Sequence, residues 1–450
     1  MAKTKRSIDM LHGPLNGKLL LFALPIAASS MLQQLFNSAD TAVVGRFADA
    51  NALAAVGTNG EIVGLLVSLS LGLSMGANVL LAGLIGRGEH KPMRSAIHTA
   101  VLFALLFGVF GLAVGQVISR PLLELIDTPA DIIDLAVLYL KLYFLGYPAL
   151  LLYDFGSAIL RSKGDSRRPF LILLLSGVVN VLLNLFLVVV CRMGVAGVAI
   201  ATDAATLFSA LAVLVLLLRE EDDFRLELQL LRLHKLPLVR ILQIGIPAAL
   251  QGAVFCLANI FVQAAVNSFG SITTAGSSIS VNFEYFGYYM ITAYGQAATT
   301  FTSQNFGAGN IPRCKSVMRR CILWSIAFSA VICVPLVAFR PFAASWFSTD
   351  AGVIEAASLR ILVVLTLMPM CGLYEVPAGF LRGIGHSASP AMLMVLGTCA
   401  LRIFWVEIVF PRFHQLGVLY LTFPISWILT TVLIWGAYFY ITRKEFKMEN

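Results

Sequence analysis

Twelve runs of 20 or more mostly apolar residues can be laid along the 450-residue chain, at about 18–44, 54–85, 95–118, 132–160, 170–190, 194–218, 241–268, 274–306, 316–339, 353–381, 391–410 and 416–441. At a rise of ~1.5 Å per helical residue, each can cross the ~30 Å hydrocarbon core of a bilayer. Within lipid, every backbone N–H and C=O must be satisfied by protein, so only helices or a closed barrel can span it. Long runs with Gly and Pro inside them, rather than short alternating strands, select helices. The chain is 58% hydrophobic and 12% charged, with a mean hydropathy of +0.85, a balance that no water-solvated fold needs. The expected class is therefore an all-α integral membrane protein, embedded in the lipid bilayer and multi-pass.

Only one long connection is charged, residues 219–240, which carries Glu220, Glu221, Asp222, Asp223, Arg225, Arg232 and Lys235. It predicts a division into an N-terminal six-helix lobe over 1–218, a linker over 219–240 and a C-terminal six-helix lobe over 241–450. A shift of 221 residues supports this, placing Thr128 on Thr349, Pro148 on Pro369, Tyr153 on Tyr374, Arg161 on Arg382, Gly164 on Gly385 and Pro169 on Pro390. With an even number of spans in each half, the two six-helix bundles share an orientation and are expected to be related by a pseudo-two-fold axis along the membrane normal.

The net charge of +8 does not indicate nucleic acid, because the basic residues cluster between apolar runs. Lys3, Lys5 and Arg6, Arg87, Lys91 and Arg94, Arg161 to Arg168, the linker, Arg313 to Arg320, and Arg443 to Lys447 all fall on one side of the membrane. By the positive-inside rule both termini are expected in the cytoplasm and the protein in the cytoplasmic (inner) membrane. The seven cysteines show no CxxC and no His/Cys metal spacing, so they read as core residues and no metal site is expected. There is no P-loop, HExxH or GxSxG; an enzyme is not expected, and neither is a cofactor.

The informative residues are the polar ones inside apolar runs. A charge at the centre of a membrane helix costs roughly 2.5 to 3.5 kcal/mol on insertion scales, so one that persists there points to function. Asp40 lies six residues before Arg46, Asn184 eight before Arg192 and Thr202 eight after Gly194, which sets all three about 9 to 12 Å below the outer boundary. Asn180 falls one turn deeper on the face of Asn184. A carboxylate with Asn and Thr oxygens nearby can take a proton or a small hard cation such as Na⁺. Asp203 points about 100° away and is a secondary candidate, as are Tyr153 and Asp154. In the second half, depth counting sets Glu284 level with Arg402 and makes an ion pair between them available, with Glu375 nearer the cytoplasm as the repeat counterpart of Asp154. Tyr285, Tyr288, Tyr289, Tyr374 and Met368, with Asn37 in the first half, are candidates to line a cavity for flat apolar cations.

These residues also carry a resemblance. Leu24-Pro25 followed by Asp40, Gly197 through Thr202, Gln304-Asn305-Phe306-Gly307-Ala308-Gly309-Asn310 and Leu381-Arg382-Gly383 together resemble the multidrug and toxic compound extrusion (MATE) transporters, in particular their DinF-like branch, over essentially the whole length. The resemblance implies two six-helix bundles forming a V and a secondary antiporter that exports small organic cations and amphipathic compounds by alternating access. It also implies a coupling site at Asp40, Asn180, Asn184 and Thr202. Many members carry Asp where this chain has Asn184, and some carry an acid where it has Cys371, with Glu375 as a branch-specific substitute. The missing carboxylate favours H⁺ over Na⁺ as the coupling ion. A monomer is the expected functional unit. The alternative is a flippase for a lipid-linked precursor, whose cavity would need several cations.

Overall fold

The computed structural model describes residues 7–220 and 222–446, and among them every regular element is helical. Lys3, Lys5, Arg6 and Lys447 of the basic clusters, and Glu221 of the linker, lie outside the described residues. The first half runs α1 (Leu15–Phe47), α2 (Ala50–Thr58), α3 (Gly60–Arg87), α4 (His90–Leu125), α5 (Ile133–Leu145), α6 (Tyr147–Ser162), α7 (Arg167–Asn184) and α8 (Gly194–Leu218), with a π-helical turn, Leu185–Val190, extending α7. The second runs α9 (Lys235–Asn267), α10 (Ser271–Gly307), α11 (Ile311–Ala338), α12 (Arg340–Ser345), α13 (Ala351–Arg360), α14 (Gly372–Gly383), α15 (Ala388–Met394), α16 (Leu401–Phe404), α17 (Phe410–Phe413), α18 (Leu416–Tyr420) and α19 (Thr422–Glu445). Further π turns, Ile361–Leu365, Val395–Ala400 and Trp405–Val409, interrupt the spans of this half.

Ten segments of the described chain are long and apolar enough to cross a membrane, and α5 with α6, bent by 44°, make an eleventh. The twelfth is α10, 37 residues long. It is less apolar than the others because it buries a row of small polar side chains, among them Ser277, Ser280, Thr299, Thr300, Thr302 and Ser303, against α11, α13 and α14. A helix sheltered by protein needs no lipid-compatible surface, and small side chains let its neighbours approach closely.

The helices form two compact units. One contains Ala28–Ile246; the other contains Asp9–Ala27 and the chain from Pro247 onward. The first helix of each half is thus divided between the units, near Pro25 in α1 and at Pro247 in α9. Proline removes a backbone donor and crowds the preceding turn, so these are the points at which a long helix is most easily bent.

Within the first unit the charged linker is tied down. His98 Nε2 accepts the N–H of Glu227 at 3.0 Å, Thr99 Oγ1 accepts that of His234 at 3.1 Å, and Arg94 pairs with Glu227. Beside it, Glu220 is gripped by Lys163 and Arg168, and Arg168 also pairs with Asp165. Burial works to raise the pKa of Glu220, but the hydrogen bonds and charges of Lys163 and Arg168 outweigh it and hold the carboxyl below its ordinary value.

Candidate functional site

In the first unit, Phe36 of α1 lies so close to α7 that a Cβ on Gly177 would sit 1.7 Å from its ring. Glycine at 177 therefore sets the spacing of the two helices, and Asp40, one turn beyond the contact on α1, meets Asn180 and Asn184, one and two turns beyond it on α7. Ser176 fastens α7 to α8 by donating to the Ala205 carbonyl at 2.7 Å, which brings Thr202 to the same place.

The four side chains form a closed ring of hydrogen bonds. Asn184 Nδ2 donates to Asp40 Oδ1 at 2.5 Å and to Asn180 Oδ1 at 3.2 Å. Asn180 Nδ2 donates to Thr202 Oγ1 at 3.3 Å, and the Thr202 hydroxyl donates to Asp40 Oδ2 at 3.3 Å. Asp40 is only 8% exposed, and Asn184 1%. Every donor in the ring is neutral, and among the described residues no Lys, Arg or His lies within ion-pair distance of Asp40. The polarity is one-way, with all donors leading to the carboxylate. The structure thus brings together the three residues that depth counting placed in one layer, Asp40, Asn184 and Thr202, and Asn180 one turn deeper.

The secondary candidates of this unit stand elsewhere. Asp203 packs against Gly146 at the break between α5 and α6, where a Cβ on Gly146 would come within 2.2 Å of Asp203 Oδ1. Asp154 is 2% exposed and accepts the Ser70 hydroxyl at 2.6 Å, joining α3 to α6. Tyr153 donates to the Pro169 carbonyl at 3.1 Å. Asn37 is exposed on α1.

The second unit pairs its charges differently from the sequence expectation. Glu284 does not meet Arg402; it is held bidentately by Arg360, Nε to Oε1 at 2.6 Å and Nη2 to Oε2 at 3.0 Å. Ser280 adds a third bond, and Arg360 Nη1 reaches Ser277 Oγ at 2.7 Å. Glu375 accepts from Arg382 at 3.1 Å. Tyr288 stacks on Phe255 with rings 6.4 Å apart, and Tyr285 on Tyr289 at 5.7 Å; Met368 and Tyr374 belong to the packed core. Arg402 lies between Phe255 and Phe423, 5.0 and 4.6 Å from their ring centres, and its Nη1 donates to Asn259 Oδ1 at 2.9 Å. Two cation-π contacts of about 2 kcal/mol each offset only part of the several kcal/mol that a buried ion loses in hydration. Depth counting, which gave Arg402 the carboxylate of Glu284, singled out neither Asn259 nor Phe423.

Among the described residues no group of three His, Cys, Asp or Glu side chains could hold a metal ion.

Comparison with known proteins agrees with this architecture. The MatE family model matches residues 25–186 and 247–406, one match in each half. The probable multidrug resistance protein YoeA of Bacillus subtilis is 25% identical over 94% of both chains. The probable multidrug resistance protein NorM of Thermotoga maritima is 26% identical over 89% of this chain and 87% of its own, and the FAD transporter of Shewanella oneidensis is 26% identical over 97% and 96%. Among solved structures, a MOP superfamily transporter from Pyrococcus furiosus superposes with a TM-score of 0.88 over 100% of both chains at 19% identity, which establishes the shared fold. With the family model covering most of both halves, the chain belongs to the MatE family of multi-pass, ion-coupled membrane transporters, which move solutes rather than transform them.

Proposed function

We propose that the protein is a secondary antiporter of the cytoplasmic membrane that exports cationic and amphipathic organic compounds in exchange for H⁺ rather than Na⁺, by alternating access. The observation that carries this reading is the Asp40 ring. A carboxylate surrounded only by neutral donors has two stable states, and Asn184 and Thr202 both donate to it in the ionised one. Protonation removes the charge that orients those donors, so the ring must rearrange. An ion that binds one conformation better than another shifts the balance between them by that difference, and inward H⁺ movement gains about 2.3 kcal/mol per charge per 100 mV.

With Asn at 184 the ring supplies one carboxylate and amide and hydroxyl oxygens, a weak donor set for Na⁺ and a sufficient one for a proton. In this reading both termini and the 219–240 linker face the cytoplasm, lobes 1–218 and 241–450 provide the moving parts, and a single chain suffices. The names of the relatives, multidrug resistance proteins in Bacillus and Thermotoga, support the substrate class. The test is ethidium export from proteoliposomes under a pH gradient and, separately, a Na⁺ gradient. Export under the pH gradient alone is expected; export that requires Na⁺ would overturn the choice of ion.

A further inference from the structure

Arg402 is 1% exposed, yet it differs from the other buried arginines of its unit. Arg360 holds Glu284 and Arg382 holds Glu375. Among the described residues no carboxylate lies within ion-pair distance of Arg402, its one protein hydrogen bond is to the neutral Asn259, and its Nε has no partner. A guanidinium cannot shed its charge as a buried carboxyl can, and it presents a planar fork suited to two oxygens of a carboxylate or phosphate. The cover is thin, since Asn259 is exposed and Phe255, stacked flat on Tyr288 with 6° between the rings, is half-buried.

The internal duplication makes the position informative. At a shift of 222, Pro25 and Asn37 recur as Pro247 and Asn259; at a shift of 220, Gly197-Val198 and Thr202 recur as Gly417-Val418 and Thr422. Under the shift of 221 residues Arg402 falls one residue past the counterpart of Asn180. The elements that build the Asp40 ring in one unit therefore build the Arg402 cluster in the other, with the sign of the charge reversed. The π turns Val395–Ala400 and Trp405–Val409 bracket Arg402 as Leu185–Val190 follows Asn184, a device that re-aims side chains at functional positions.

We propose that Arg402 anchors the anionic group, a carboxylate or phosphate, of an aromatic organic solute whose ring lies against Phe255 and Tyr288. The site rests on the transport reading but concerns binding within the second unit alone, and it extends the substrate class to amphipathic anions.

The experiment is equilibrium binding to the purified full chain in detergent, read by the change in each probe's own fluorescence, with flavin mononucleotide as the anionic probe, riboflavin as its uncharged counterpart and ethidium as the cationic control. The wild type is expected to bind flavin mononucleotide about tenfold or more tighter than riboflavin. Arg402→Gln is expected to remove that preference, weakening flavin mononucleotide binding about tenfold, to the level of riboflavin. Asn259→Asp supplies an internal carboxylate to the guanidinium and abolishes the preference without removing a buried side chain, which guards against misfolding of the first variant. Equal binding of the two flavins by the wild type, or an undiminished preference in Asn259→Asp, overturns the proposal. So does Arg402-dependent binding of phosphatidylglycerol in place of flavin mononucleotide, which assigns the charge to a lipid headgroup. Ethidium export tests the antiporter reading separately, and either can fail alone.

Discussion

Asn184 donates to Asp40 across 144 residues of sequence and, with its second amide hydrogen, to Asn180 one turn away on its own helix. Both hydrogens of one amide are thereby committed, and position 184 decides how many charges the ring holds. Asn184→Asp places a second carboxylate beside the first. Two carboxylates in one buried site cannot both stay ionised without a shared proton or a cation, so ethidium export by this variant is expected to become Na⁺-stimulated; a variant that remains indifferent to Na⁺ refutes the role given to this position.

Gly177 sets the distance between α1 and α7. Gly177→Leu drives its side chain into Phe36, an overpacking that costs about 1–3 kcal/mol, and separates Asp40 from Asn184. The melting temperature in detergent is expected to fall together with export, and Phe36→Ala in the same chain to recover part of both. Full activity in the single variant would show that the helices need not be this close.

The bidentate pair of Arg360 and Glu284 is buried, so removing one partner leaves a charge with no compensation. Glu284→Gln is expected to destabilise the second unit by about 3–5 kcal/mol, whereas replacing both residues by Leu and Met is expected to cost far less. Thermal unfolding of the two variants side by side distinguishes a structural pair from an ion-binding acid, whose loss would abolish export without this recovery.

The layer of Asp40, Asn184 and Thr202, with Asn180 one turn beneath, was legible in the sequence, because a constant rise per residue turns distance from a loop into depth, and the helical phase is kept between Asn180 and Asn184. The partner of Glu284 was not. Arg360 and Arg402 lie at comparable depth, and the choice between them depends on which way each points around its helix. The π turns Ile361–Leu365, Val395–Ala400 and Trp405–Val409 break the 3.6-residue phase in those segments, so counting residues gives the height of Arg402 but not its direction. The division of the compact units was hidden because the charged stretch 219–240 stands out in composition, whereas α1 and α9 pass between units near a proline that composition does not single out.

Glu220 gives a pH dependence outside the membrane. Its folded-state pKa is held below the ordinary value of 4.5 by Lys163 and Arg168, so the stabilisation it contributes is complete above that value and lost as pH falls through the depressed one. Between pH 6 and about pH 3 the melting temperature of the wild type is expected to drop more than that of Glu220→Gln. Parallel profiles would assign the acid sensitivity to other groups.

Proton-driven export requires Asp40 to be the carboxyl that takes up and releases the proton. Asp40→Asn keeps the shape of the side chain but cannot ionise, and like the protonated carboxyl it offers a donor where the carboxylate offers a second acceptor. In proteoliposomes with an imposed pH gradient, this variant is expected to bind ethidium with wild-type affinity and to lose gradient-driven export; export at the wild-type rate would contradict the account.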